Sequence, residues 1–286
     1  MIVSGLDSGM GNQMFQYAAG YALAQERAEP FFIDISQFIY NARPYCLNCF
    51  NISAEYFTVQ PALKDTKVHR AIARFNRLYK MGLFHSAFIC EKKENYYLYK
   101  PEQFIKNKSI YLSGFWQNYR YFHHYKNDLK KEFSINMAHI SNECRQVSQE
   151  VNASNSLAIH IRRGDYLQCD NWILEDVFFV KALEKAYKLI PGQIDLYVFC
   201  EDVEYAKSLF KKQKYTLVTE AFHLNDVEEF YVMSRCRHHI ISNSTYSWWA
   251  AYLGEDSGVT IAPVYKHWIK DFYLPEWETI DCNESV

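Results

Sequence analysis

The chain has no excess of basic charge. Its 31 Lys and Arg face 33 Asp and Glu, a formal net charge of -2 over 286 residues, whereas a general nucleic-acid binder shows the opposite balance. Long apolar runs are also missing. The stretches 17–24 and 248–253 fall well short of the ~18 residues a membrane-spanning helix needs. No basic residue precedes Arg27, so the charged region that opens a secretory signal is not seen, and a cytoplasmic location is expected. Cys46 and Cys49 form a Cys-x-x-Cys pair, but no second pair and no spaced histidines follow to complete a zinc site. Reduced thiols are the expectation. There is no internal repeat and no low-complexity tract. Asp-x-Asp occurs nowhere, and many sugar transferases use that pair to hold a divalent cation on a leaving diphosphate. If a diphosphate departs here, arginines and helix ends must meet its charge. No metal and no cofactor are expected.

What is present is globular. Hydrophobic residues at 49% against 22% charged exclude intrinsic disorder. The aromatic share, with 23 Tyr and 20 Phe, suits either a core or a sugar site and decides nothing alone. The length suits two domains of ~140 residues. The opening reads as a strand at Ile2-Val3, a turn through Gly5, Gly9 and Gly11, a helix over 12–28 and a strand over 31–34. Residues 64–80 read as an amphipathic helix, with Val68, Ile72, Phe75 and Leu78 opposite Lys67, Arg70, Arg74 and Arg77. A strand at 110–112 and a helix ending near Phe133 follow. The polar run 134–155 reads as a connection. The sequence Asn152-Ala-Ser-Asn-Ser156 predicts a boundary, giving domains 1–155 and 156–286. In the second half, strands are predicted at 157–162, 194–200, 216–218, 239–242 and 259–262. Helices between them are predicted at 175–189, 203–212, 226–236 and 246–253. This alternation implies α/β architecture on a parallel sheet, with ligands at the strands' carboxyl ends.

Three segments have residues suited to chemistry. Gly9-Met10-Gly11-Asn12-Gln13 turns into a helix amino terminus, where backbone N–H groups can approach an anion. Asp34 after it mimics the acidic residue of a dinucleotide site, but Met14 stands where that fingerprint needs Gly or Ala. A tight structural turn is the alternative. His160-Ile161-Arg162-Arg163-Gly164-Asp165-Tyr166 ends a strand whose alternation sets Leu157, Ile159 and Ile161 on one face and Ala158, His160 and Arg162 on the other. Adjacent arginines at a strand end call for carboxylates or phosphates, and an Arg–Asp165 salt bridge is the bland version. Ser242-Asn243-Ser244-Thr245-Tyr246-Ser247-Trp248-Trp249 links a strand to a helix, as a plain N-cap or as a phosphate cradle.

Taken in order, the blocks at 9–18, 160–166 and 242–251 resemble the signatures of the GDP-fucose-dependent α-1,2-fucosyltransferases, in their bacterial form. Weaker echoes at Tyr45, Leu47, Phe50 and Ile52, at Gly114-Phe-Trp-Gln117 and at Phe199-Cys-Glu-Asp202 extend the likeness over nearly the whole chain. There are departures. Ser8-Gly9 replaces a glycine pair, Glu229 stands for an Asp, and Cys200-Glu201-Asp202 replaces Ser-Asp-Asp. The resemblance implies a GT-B-like fold, two Rossmann-like domains facing a cleft. The amino-terminal domain would be the acceptor side and the carboxyl-terminal domain the GDP-fucose side.

The resemblance also implies residue roles and a metal-independent, inverting transfer. Arg162 would bind the β-phosphate and stabilise the leaving GDP, with Asn12 reaching towards the diphosphate. His160, Arg163 and Asp165 would shape the nucleotide pocket. Ser244, Thr245 and Tyr246 would hold phosphate. Asp202 would lie near the nucleoside, and Glu229 could pair with guanine N–H groups. The expected reaction moves L-fucose to a galactoside hydroxyl, most readily the 2-OH of a terminal β-galactoside on an oligosaccharide acceptor. Asp7 is a candidate base because it adjoins the glycine turn. Rival readings are another regiochemistry such as α-1,3, a Rossmann oxidoreductase on Gly9, Gly11 and Asp34, and a sugar-binding module without turnover. The basic arc of residues 64–80 reads first as a solvated face. A weak peripheral dock on an anionic membrane is its alternative.

Overall fold

A computed structural model of the chain describes residues 1–39, 43–57, 86–104, 109–168, 172–266 and 268–283. The expected helix over residues 64–80, with the membrane contact attached to it, lies outside the described residues. The chain divides into two compact units, Met1–Ser134 and Ile135–Val286.

The first unit carries β1 (Ile2–Gly5), α1 (Met10–Arg27), β2 (Phe31–Asp34), β3 (Glu55–Tyr56), β4 (Ser86–Cys90), β5 (Ser109–Ser113) and α2 (Lys126–Glu132). The strands are all parallel in the order β3-β2-β1-β5-β4. Helix α1 is buried along most of its length because Ala18, Ala19, Gly20, Ala22 and Ala24 let it lie close on the sheet. A Cβ on Gly20 would sit 2.6 Å from the Phe31 ring. Ser4 Oγ, on β1, donates to the Gln16 carbonyl at 2.7 Å and ties strand to helix.

The second unit runs α3 (Asn142–Ala153), β6 (Ser156–Ile161), α4 (Asp176–Leu189), β7 (Asp195–Cys200), α5 (Val203–Leu209), β8 (Tyr215–Leu217) and α6 (Val218–Ala221). It closes with α7 (Asp226–Arg235), β9 (His238–Ile240), α8 (Thr245–Leu253), β10 (Thr260–Val264) and β11 (Glu278–Asp281). Its six parallel strands take the order β11-β10-β9-β6-β7-β8, the doubly wound arrangement of a dinucleotide fold. Leu157, Ile159 and Ile161 share a core with Phe178, Phe179, Ala182 and Leu196, which is the face that strand alternation assigned to them.

The division at Ser134 corrects the boundary expected near residue 155. Residues 142–153 are a helix of the second unit and not a connection. Ser141 caps it, its Oγ accepting from Cys144 N at 3.1 Å. Its N–H donates to Glu228 on α7 at 2.7 Å. Cys144, Val147, Ser148 and Val151 form the buried stripe, a narrow helical period inside a polar segment.

Candidate active site

In each unit the strand order reverses at one point, where doubly wound sheets bind ligands beyond the carboxyl ends of the strands. In the second unit this point lies between β6 and β9. His160 is the next-to-last residue of β6, and its Nδ1 lies 2.8 Å from Ser242 Oγ, just past β9. The imidazole is buried, and burial, helped by the neighbouring Arg162 guanidinium, pulls its pKa down to about 3. His160 is therefore neutral near pH 7. It holds a hydroxyl in place and is no proton carrier there.

The two arginines after β6 have separate partners. Arg162 is gripped by two carboxylates, Nη1 donating to Glu201 Oε1 at 2.7 Å and Nη2 to Asp165 Oδ1 at 2.6 Å. Its guanidinium also lies over the Tyr166 ring. The Arg–Asp165 bridge of the bland reading is real, and Glu201 joins it. Arg163 Nε donates to Asp202 Oδ2 at 2.9 Å, and its guanidinium stacks 3.9 Å above the Tyr205 ring. Asp202 also caps α5 by accepting from Tyr205 N at 3.1 Å. That backbone bond first, then Arg163, holds its carboxyl below the usual range. A cavity of about 680 Å³, within the usual size of ligand pockets, opens beside Arg163 against Leu174, Asp176, Tyr205 and Tyr265.

The segment after β9 departs from a plain cap. Ser244 is the N-cap residue of α8, yet its side chain makes no capping hydrogen bond. The Ser244 N–H donates to the Ser242 carbonyl at 2.8 Å and the Ser244 carbonyl accepts from Trp248 N at 3.0 Å, so its hydroxyl is left to face the helix start, where anions are favoured. Thr245 and Tyr246 begin the helix, and the Tyr246 ring lies 5.6 Å from His160. Tyr246 is partly buried, and burial with Glu229 and Asp226 nearby keeps its phenol protonated. Glu229, on α7, has its pKa raised to about 7 by burial, with Asp226 and Glu201 adding repulsion and a Thr219 hydrogen bond opposing it.

In the first unit the reversal lies between β1 and β5. The left-handed residue of the turn after β1 is Ser8, at φ 65°, and not a glycine. Gly9 is the N-cap of α1 with ordinary φ, and a Cβ there would meet nothing within 4 Å. The amides of the Gly-Asn-Gln block divide their work. Gln13 Nε2 donates to the Ser8 and Pro44 carbonyls at 2.8 and 3.0 Å, while its Oε1 accepts from Cys46 N at 2.9 Å. Gln16 Oε1 accepts from Asp7 N at 2.9 Å. Asn12 Oδ1 accepts from Gln117 Nε2 at 2.7 Å, which joins the first turn of α1 to the loop after β5. Asp34 is fully buried and bonded to Tyr111 Oη at 2.9 Å and Ser36 N at 3.0 Å. It is structural, so the dinucleotide reading loses its acidic residue.

The geometry thus gathers His160, Arg162, Asp165, Ser242 and the start of α8 in the second unit, with Arg163 and Asp202 beside them. Sequence reasoning missed Glu201 as the second partner of Arg162, Tyr205 as the platform under Arg163, and Gln117 as the partner of Asn12. Glu201 and Gln117 both stood inside recognised motifs. Residues 4–281 match the model of glycosyl transferase family 11. The chain belongs to this family.

Family 11 membership agrees with the relatives. The chain is 29% identical to an α-1,2-colitosyltransferase of Escherichia coli, covering 92% of this chain and 91% of the relative. It is 28% identical to the O-antigen biosynthesis glycosyltransferase WbnK of Escherichia coli, over 90% and 92% of the two chains. It is 23% identical to human galactoside α-(1,2)-fucosyltransferase 1 over 63% of this chain and 55% of that one. Among solved structures, the fucosyltransferase NodZ from Bradyrhizobium superposes with a TM-score of 0.54 at 13% identity, over 88% of this chain and 92% of that one. The fold, two parallel-sheet α/β units of the GT-B type, and the glycosyltransferase class follow. Among the described residues no helix is long and apolar enough to cross a membrane.

Proposed function

We propose that this family 11 enzyme transfers L-fucose from GDP-β-L-fucose to the 2-hydroxyl of a terminal β-galactoside, inverting the anomeric centre to give an α-1,2 linkage. The observation that carries the reading is the double grip on Arg162 next to the start of α8, at the point of strand reversal. The acceptor oxygen forms its bond to C1 as the bond from C1 to the β-phosphate oxygen breaks, through an oxocarbenium-like state. Charge then accumulates on the departing diphosphate. Arg162 and the start of α8, with Ser244, Thr245 and Tyr246, meet it, in an arrangement fixed before the reaction starts. Neutral His160 keeps Ser242 in register below them. Arg163, Asp165 and Asp202 shape the nucleotide side, and Glu229 offers a carboxylate to guanine N–H groups. Asn12 supplies an amide to the reactants and Asp7 takes the acceptor proton. In this reading the cation's task falls to guanidinium and helix amides, so no metal or cofactor takes part.

The α-1,2 linkage is supported by the names of the relatives. The colitosyltransferase likeness supports a second donor, since colitose is fucose without its 3-hydroxyl. Incubation with GDP-fucose and a β-galactoside, followed by NMR of the product, is expected to give an α-1,2-fucosyl galactoside. Turnover should persist in excess chelator. Turnover only with the colitosyl donor would move the assignment to that sugar. Loss on chelation with rescue by Mg²⁺ or Mn²⁺ would overturn the way the diphosphate is neutralised.

A further inference from the structure

The loop after β5 is shaped more tightly than a connection requires. Gly114 has φ 157°, and a Cβ there would fall 2.3 Å from Glu91 Cβ. Glu91 is buried, and its Oε2 accepts from Phe115 N at 2.7 Å and Trp116 N at 3.1 Å. Trp116, fully buried, holds φ 53°, a conformation a bulky side chain adopts only when its surroundings impose it. Asn118 then returns its N–H to the Trp116 carbonyl and its Nδ2 to the Tyr97 carbonyl. The residue between these constraints is Gln117, itself buried, and its amide meets Asn12. Such strain clusters where the position of a side chain matters to function.

We propose that Gln117 is a positioning residue for Asn12: held by the Glu91-anchored loop, it donates to Asn12 Oδ1 and so fixes which end of the Asn12 amide faces the reactants. An asparagine amide can rotate by half a turn and exchange its donor and acceptor ends. With Oδ1 committed to Gln117, Nδ2 takes the other side. The inference rests on the reading that Asn12 acts on the reactants, and it adds the device that orients it.

Gln117→Glu keeps the side-chain shape but replaces the donor by an acceptor, so Asn12 must turn over to satisfy it. The expected result is a fall in kcat of about tenfold to a hundredfold, as for a slightly misplaced group, with the donor KM and the unfolding midpoint little changed. In an Asn12→Ala background the same substitution should cost nothing further, because Gln117 acts only through Asn12. A second readout is independent of turnover. The Asn12 side-chain amide signal in a ¹⁵N–¹H spectrum, assigned by its loss in Asn12→Asp, should shift in Gln117→Glu and in Gln117→Met. Independent kinetic losses in the double variant, or an Asn12 signal that stays in place, would overturn the proposal. If the wild type turns over neither donor, the functional reading fails, and the amide signal still decides whether Gln117 orients Asn12.

Discussion

At the reversal point of the first unit, Gln117 in the loop after β5 reaches Asn12 in the first turn of α1. At that of the second, His160 on β6 reaches Ser242 after β9. The position in the sheet is the same, but the surrounding chemistry differs. The first gathers neutral amides, Asn12, Gln13, Gln16 and Gln117, each fixed by carbonyls, amides or backbone N–H groups, beside Asp7 and the buried Glu91. The second has two arginines and three carboxylates around a neutral imidazole. Amides orient a hydroxyl-rich ligand with little field. Guanidinium groups meet charge that appears during reaction. The contrast matches a division between a sugar and a diphosphate.

The comparison can be tested from the charged side first. Arg162→Ala should lower kcat by about a hundredfold or more, the ~3 kcal/mol typical of a donor aimed at a developing charge. Arg163→Ala should lose less, because strand alternation aims Arg162 with His160 while Arg163 starts from the opposite face. Equal losses in steady-state kinetics, at equal folded yield, would erase the distinction between the two arginines.

Acid should weaken the second unit. His160 and His239 are buried with pKa lowered to about 3 and about 4, so the unfolded chain binds protons that the folded chain refuses. Stability is then complete above about pH 6.5 and falls as pH drops towards these values, by ~1.4 kcal/mol per pH unit for each proton taken up. Denaturant titrations from pH 7 to 4 should show that slope, and His160→Asn should reduce it by one proton. An unchanged slope would mean that His160 is not kept neutral.

Glu201→Gln sharpens the contrast further. Removing one negative charge beside Arg162 should tighten GDP by about fivefold, the ~1 kcal/mol of two unit charges ~4 Å apart in water-like surroundings. It should also lower kcat, since Arg162 loses one of its two anchors. Calorimetry with GDP would detect the gain, and weaker binding would show that Glu201 does not compete with the ligand. The smallest effect belongs to Glu229. Its raised pKa means its ionisation costs stability as pH climbs from about 4.5 to about 7. Glu229→Gln should raise Tm at pH 8 by several degrees, roughly 5 °C, and leave it nearly unchanged at pH 4.5.

Much of this was legible in the chain. Strands β6, β7, β9 and β10 lie within two residues of their expected ends, because each is a short segment between clear helical periods. Strands β4 and β11 were missed, as was the short β3. Ser86–Cys90 has neither alternation nor flanking turn residues, and Glu278–Asp281 is half polar on a sheet edge. Helix α3 was hidden by Asn142, Glu143, Arg145 and Gln146, although Cys144, Val147, Ser148 and Val151 carry its period. At the site, Arg162, Arg163 and Asp165 were found because they are neighbours in sequence. The long-range pairs, Arg162 with Glu201 and Asn12 with Gln117, span 39 and 105 positions, and no local pattern encodes such a meeting.

The strand order also sets when each crevice can exist. Strands β1 and β6 are the first strands of their units, yet each pairs with one made much later, β5 or β9. On a ribosome, residue 117 must emerge before the amide pair closes, and residue 242 before the imidazole finds its hydroxyl. Nascent domains tend to form as whole units, and such distant pairings come late. An incomplete chain can thus hold most of a sheet and still have no finished crevice, so unfinished translation products should lack binding and not merely bind less well.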